Sequence, residues 1–317
     1  MRALITGVNG FVGGYLSQYL IENGMEVWGT KLPSEVKSKY LNEDVIVRGL
    51  DIRDKRECEE VIKECEPDYL IHLAAQSSVA LSWKNPQLTM DININGTLNL
   101  LDAIRTYIKE CRILLIGSSE EYGLIKEEEV PVNESKDIDP SNPYAISKAT
   151  QELLAKQYIK AYGLDIVMVR AFNHIGPRQS DIFVVSDFAK RIVMMEKGLL
   201  EPVLKVGNLE SKRDFTDVRD IVKGYELLLK HGKCGEVYNI GSGVALKISE
   251  ILEKLMELSG KDISIEKDLN RMRPSDNPII QCDNGKLKSD TKWDTTYNID
   301  KTLRDVMDYW RKEVGDE

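Results

Sequence analysis

The chain has 317 residues, 42% of them hydrophobic and 30% charged, and a net charge of −9. That length and composition exclude a disordered or fibrous chain and suffice for two lobes sharing a cleft. No apolar run approaches the roughly 18 residues of a membrane span, and the acidic balance argues against a nucleic-acid coat, which needs a basic surface.

Met1-Arg2-Ala3-Leu4-Ile5 runs straight into a strand-like pattern, so the expectation is a chain without a secretory leader. The five cysteines, Cys58, Cys65, Cys111, Cys234 and Cys282, form no C-x-x-C pair and are odd in number. Free thiols in a reducing compartment, the cytoplasm, are the expectation. His72, His174 and His231 are widely scattered, so no metal site is expected.

In chain order, residues 2–6 read as a strand, and 11–23 as a helix with Phe11, Val12, Tyr15, Leu16, Tyr19 and Leu20 at helical spacing. Residues 25–30 follow Gly24 as a second strand, and 45–47 read as a third. Residues 69–73, 113–116 and 166–169 continue the series, with a long helical pattern at about 88–108. Strands alternating with helices imply parallel pairing by right-handed crossovers, and near-continuous apolar strands imply burial on both faces. The fold class is therefore α/β: a doubly wound parallel Rossmann-type sheet with a ligand crevice at the strand C-termini. After residue 172 the rhythm loosens into loop-rich stretches at 173–185 and 205–220, a strand at 237–240 and helices near 247–259 and 301–313. The expected division is a dinucleotide-binding unit at 1–172, joined by returning segments near 215–242, and a smaller C-terminal α/β substrate lobe in 173–317.

Thr6-Gly7-Val8-Asn9-Gly10-Phe11-Val12-Gly13 links the first strand to the first helix. Gly7 permits a tight turn, Gly10 lets backbone approach a pyrophosphate, and Gly13 lets helix and sheet pack closely. Gly7, Asn9, Gly10, Phe11, Val12 and Gly13 thus form a candidate dinucleotide cradle, with the pyrophosphate on the helix N-terminus. An acid after the second strand would select NAD through the ribose 2′-hydroxyl. The strand ends Gly29-Thr30-Lys31-Leu32 instead; Lys31 suits a 2′-phosphate, so NADP is expected, with NAD possible.

Ser141-Asn142-Pro143-Tyr144-Ala145-Ile146-Ser147-Lys148 opens another helix, with Asn142 as cap and Pro143 in the first turn. Tyr144 and Lys148 are four apart and share a face. A phenol of pKa about 10 is a poor acid or base at neutral pH; a nearby ammonium favours the phenolate and brings it towards working range.

The glycine spacing and this Tyr/Lys pair resemble the extended short-chain dehydrogenase/reductases. The resemblance implies cofactor contacts at Asp51 and Ile52, and at Leu73, Ala74 and Ala75, with Tyr144 and Lys148 also touching the cofactor. It further identifies Asn93-Ile94-Asn95-Gly96-Thr97 as the family's helix motif. In Gly117-Ser118-Ser119-Glu120-Glu121-Tyr122-Gly123 it places the catalytic hydroxyl at Ser118. Substrate contacts are implied at Gln76, Ser118, Asn173 of the Asn173…Gly176-Pro177 turn, Arg178, Arg213 and Arg273. Guanidinium forks suit phosphate oxygens.

The segments at 118–123, 172–177 and 207–220 together resemble the GDP-4-keto-6-deoxy-D-mannose reductases, which reduce the carbon-4 ketone to GDP-D-rhamnose. Glu120 coincides with the glutamate base of the related GDP-mannose 4,6-dehydratases, whose segment reads Thr-Ser-Glu-Leu-Tyr-Gly. Glu120 is thus a relic, a substrate ligand or a dehydratase base. Ser118 in place of the threonine, Glu121 in place of an apolar residue, and the absence of paired arginines after the second strand favour the reductase. A non-catalytic dinucleotide-binding protein would lack the Tyr or the Lys, and both are present. The resemblance also implies a GDP-sugar as partner and a homodimer formed through the helices near 88–108 and 144–162.

Overall fold

The computed structural model describes residues 1–268 and 277–315. The alternating apolar runs of the first half become strands β1 (Arg2–Thr6), β2 (Glu26–Lys31), β3 (Ile46–Gly49), β4 (Tyr69–His72), β5 (Arg112–Ser118) and β6 (Asp165–Ala171). The second half adds β7 (Asn173–Ile175), β8 (Val203–Val206), β9 (Lys212–Asp217), β10 (Val237–Ile240), β11 (Ala245–Lys247), β12 (Ser264–Lys267) and β13 (Ile279–Ile280). Seven strands form one parallel sheet in the order β10-β6-β5-β4-β1-β2-β3. The winding reverses between β1 and β4, so the crevice expected of such a sheet opens at their C-terminal ends.

Helices cover both faces. One face carries α1 (Phe11–Glu22); the other carries α2 (Lys55–Cys65). The long helical pattern at 88–108 is three pieces: α3 (Val79–Lys84) precedes it, α4 (Pro86–Met90) starts it, and a single π turn (Asp91–Asn95) leads into α5 (Gly96–Tyr107). Next come α6 (Pro143–Tyr162), α7 (Val184–Glu196), α8 (Val218–His231), α9 (Ile248–Ser259), α10 (Gly285–Thr291) and α11 (Ile299–Glu313). The pleat sorts β1 between two cores: Ala3 and Ile5 pack with Leu16 and Leu20 of α1 and Ile221 of α8, whereas Leu4 packs with Ile62 of α2 and Leu100 of α5. All three strand residues are fully buried, each large one worth about 1.5–3 kcal/mol of transfer free energy. This two-sided burial is why the strands read as continuous apolar runs.

The region after residue 172 has its own core, in which Phe188 and Ile192 of α7, Leu252 of α9 and Leu303 and Trp310 of α11 meet Phe215 of β9. A four-stranded sheet joins β11, β9, β13 and β7, and β12 pairs with β8. The chain returns twice to the large sheet: α8 packs beside α1, and β10 adds an edge strand with Tyr238 opposite Val169.

Candidate active site

The glycine loop leaves β1 at the crevice. Gly7 has φ 73°, and a Cβ there would stand 3.0 Å from the backbone of Ala74, so the loops after β1 and β4 touch. A Cβ on Gly13 would come within 2.6 Å of the Gly7 carbonyl oxygen and Val8 Cα. Gly10 caps α1 without a side-chain hydrogen bond. The first-turn N–H groups of Phe11, Val12 and Gly13 therefore face the crevice end of the helix, the arrangement that receives a phosphate. Bare helix N-terminus and side-chain-free cradle fit a dinucleotide.

The other predicted cofactor residues surround this cradle. Asn9 is committed to protein: its Nδ2 donates to Val36 O (3.0 Å) and Glu35 Oε2 (3.1 Å), and its Oδ1 accepts the Ser38 N–H at 2.7 Å. It thereby ties the segment after β2 to the glycine loop. Lys31 at the end of β2 donates to the carbonyls of Leu32 (3.2 Å) and Glu35 (2.5 Å). Asp51 pairs with Arg53 at 2.6 Å, and that guanidinium holds its carboxyl below the usual range. Ile52 is buried; a Cβ on Gly96 would reach 2.5 Å from its Cδ1. Leu73, Ala74 and Ala75, half-buried, follow β4 on the opposite wall.

Asn142 Oδ1 accepts the Ala145 N–H at 2.9 Å and Pro143 occupies the first turn, so α6 begins where its sequence signals it. Tyr144 faces Ser118 at the end of β5. Burial raises the phenol, Ser118 pulls it down, and the charges of Glu121 and Glu120 raise it further. Lys148 is 4% exposed, and its Nζ donates to Ile116 O at 2.8 Å. Burial lowers Lys148 to about 8, against an upward pull from Glu121. The charges acting on the phenol are thus the carboxylates of Glu121 and Glu120, while the Lys148 ammonium is engaged with the Ile116 carbonyl of β5. Ser118 Oγ accepts the Glu120 N–H at 3.2 Å, and Glu120 Oε2 accepts from Asn142 Nδ2 at 3.0 Å.

A buried polar relay stands behind these groups. His72, 2% exposed, joins Thr6 Oγ1 (2.8 Å) to Thr97 Oγ1 (3.0 Å), and burial lowers it to about 3, so it is neutral. Asn93, in the π turn, accepts the Gln76 N–H at 2.8 Å and donates to Gln76 O (3.1 Å) and Ser147 Oγ (2.8 Å). It clips the loop after β4 to α6, a use typical of π turns near sites. Sequence reading marked Asn93 only as part of a motif and missed His72, Glu152 and the placement of Glu121; a histidine inside a fully apolar strand was the available signal.

The predicted substrate residues are not all brought together. Asn173 is exposed at the start of β7, just beyond β6, and the turn it opens packs on the cradle, with Phe11 stacked on His174 at 6.1 Å. Gln76 is buried, with its amide spent on Ser78 and Thr89. Arg213 Nη1 donates to the carbonyls of Lys212 and Asn277. Arg178, at φ 73° and half-buried, stands between the rings of Tyr15 and Tyr40, 4.9 and 4.7 Å away, in a groove shared with Arg219 and Tyr309. Arg273 lies outside the described residues. Among the described residues no group of three His, Cys, Asp or Glu could hold a metal.

A family model described as GDP-mannose 4,6 dehydratase matches residues 4–306. The chain belongs to the GDP-mannose 4,6-dehydratase family. Within curated proteins it is 35% identical over 316 residues to GDP-6-deoxy-D-mannose reductase of Pseudomonas aeruginosa, covering 100% of this chain and 99% of the other. GDP-mannose 4,6-dehydratase of Vibrio cholerae serotype O1 is 31% identical over 83% of this chain and 72% of its own. Of solved structures, the P. aeruginosa RMD complexed with NADPH superposes with a TM-score of 0.87 at 32% identity, covering 98% of this chain and 99% of that one. UDP-glucose 4-epimerase of Thermotoga maritima, with UDP-glucose, gives 0.90 at 29% identity over 99% and 100%. Family membership carries the α/β fold and an oxidoreductase type of site.

Proposed function

We propose that this member of the family reduces the carbon-4 ketone of GDP-4-keto-6-deoxy-D-mannose to GDP-D-rhamnose with NADPH. The observation that carries the reading is the 35% identity to the P. aeruginosa reductase along both whole chains, against 31% to the V. cholerae dehydratase over 83% of this chain. Bound NADPH supplies the hydride. Gly7, Gly10, Phe11, Val12 and Gly13 hold its pyrophosphate on the α1 N-terminus, and Lys148 holds its ribose. Lys31, at the end of β2, favours the 2′-phosphate; NADH is the lesser cofactor. Ser118 donates to the ketone oxygen and keeps it beside Tyr144. Tyr144, which burial and two carboxylates keep protonated, gives its proton to that oxygen as the alcohol forms. Asn173 and Arg213 contact the sugar diphosphate.

A second reading, GDP-mannose 4,6-dehydratase, is favoured by Glu120 standing at the base position and by the family model itself. The two are separated by supplying GDP-mannose with NADP, or the 4-keto sugar with NADPH. Net loss of reduced cofactor occurs only in the second reaction, because a dehydratase returns its hydride internally. An unchanged NADPH and NADH signal with the keto sugar sinks the reductase.

The unit at 1–172 with segments near 215–242 binds the dinucleotide, and 173–317 mainly binds the GDP-sugar. The working form is a homodimer paired through α5 and α6; Ile146 and Leu153, seven apart on α6, are 43% and 54% exposed, in support of a covered face. Free cysteines support a cytoplasmic location. Among the described residues no helix is long and apolar enough to cross a membrane.

A further inference from the structure

Glu121 occupies a place where an acid is costly. It is 1% exposed in the turn after β5. Its Oε1 accepts the Ser118 N–H at 2.7 Å, while Oε2 has no hydrogen-bond partner and lies 3.8 Å from Arg170 Nε. Arg170 gives its hydrogen bonds to another acid: Glu152, which also pairs with Lys156, takes its Nε and Nη2, both at 2.9 Å. Glu121 therefore receives no hydrogen bond from Arg170, and an under-bonded buried carboxyl destabilises a fold. The cations that act on it are Arg170 and, after it, Lys148, on which Glu121 is in turn the carboxylate that acts. Lys148 at Ile116 O and Glu121 at Ser118 N grip the same strand end from two sides.

We propose that Glu121 is a positioning residue for the reduction: its carboxylate aligns Ser118 and supplies the counter-charge that keeps Lys148 an ammonium one helical turn from Tyr144. This rests on the reductase reading above. The titratable groups around it are Tyr144, Lys148 and Glu152 of α6, Arg170 of β6, Glu120 and Tyr122 of its own turn, and His72 of β4 behind Lys148. Burial and Glu152 push Glu121 up to about 8, and its charge pulls both Lys148 and Tyr144 upwards. Removing the charge lowers the proton affinity of both, so the two effects on an acid-requiring reduction have one sign.

The test compares the full chain with Glu121→Gln and Glu121→Asp, measuring NADPH oxidation by the keto sugar from pH 6 to 10 and melting in the same buffers. Gln can still accept the Ser118 N–H but carries no charge. It is expected to lower kcat about tenfold at pH 8, to move the alkaline midpoint of kcat/KM down by about one pH unit, and to leave KM for NADPH within roughly threefold. At pH 8 and above it melts no lower than wild type, because ionising a group whose folded pKa is raised destabilises the fold. Asp keeps the charge but not the reach, so kcat falls and the midpoint stays. A Gln variant with the wild-type rate and midpoint overturns the proposal. So does one that loses activity and melting temperature together with no shift of midpoint, which is a packing role. If Gln does not fold, a shifted midpoint in Asp overturns it. A wild-type chain that oxidises no NADPH with this substrate overturns the reductase reading and this role with it; an active wild type matched by Gln overturns the role alone.

Discussion

Asn142 holds Glu120. The Asn142 amide donates to Glu120 Oε2 at 3.0 Å while its oxygen caps the helix that carries Tyr144 and Lys148. One side chain therefore sets both the start of α6 and the direction of the Glu120 carboxylate.

Glu120→Gln tests what that carboxylate does. In a reductase it is expected to change kcat on the keto sugar by no more than roughly threefold, since no carbon–hydrogen bond is broken by a protein base. A dehydratase that relied on it would lose about 10²- to 10⁴-fold on GDP-mannose. Initial rates of the variant on both substrates decide the matter.

Tyr144→Phe removes only the phenolic hydroxyl opposite Ser118. NADPH affinity, followed by fluorescence titration, is expected to stay within roughly threefold, and kcat to fall about 10²- to 10⁴-fold, the range of a lost general acid. Turnover at the wild-type rate would remove Tyr144 from the chemistry.

Gly13→Ala places a methyl 2.6 Å from the Gly7 carbonyl and Val8 Cα, both backbone atoms that cannot swing away. Overpacking of this kind costs about 1–3 kcal/mol. The expected result is a melting temperature several degrees lower and an NADPH Kd raised by about tenfold, because the cradle itself must shift. An alanine variant that binds NADPH as tightly as wild type would dissociate Gly13 from the cofactor site.

His72 gives the fold an acid limit. Burial lowers its pKa from 6.5 to about 3, so between those values the unfolded chain binds a proton that the folded chain refuses. Its contribution is fully present above pH 6.5 and is lost as the pH falls towards 3, with a slope of up to about 1.4 kcal/mol per pH unit. His72→Gln, which can still bond Thr6 and Thr97, is expected to flatten unfolding curves taken between pH 4 and 6.5. An unchanged slope would place the acid limit on other groups.

The sequence by itself determined whatever depends on residues a few positions apart. The continuous apolar run of β1, the glycine spacing and the Asn142-Pro143 start of α6 are local, because they are written in neighbouring residues, and backbone sterics and capping act over one turn of chain. Tyr144 and Lys148 were legible for the same reason: four residues is one helical turn. Tertiary structure decided the rest. Asn93 meets Ser147 across 54 positions, and Glu121 meets Arg170 and Lys148 only where β5, β6 and α6 converge. Arg178 is a substrate contact only by resemblance in the chain; that its guanidinium lies against Tyr15 and Tyr40 appears only in the fold. A side chain's charge is written in the sequence; its counter-charge, its dielectric surroundings and its direction are set by strands and helices that meet only in the folded protein.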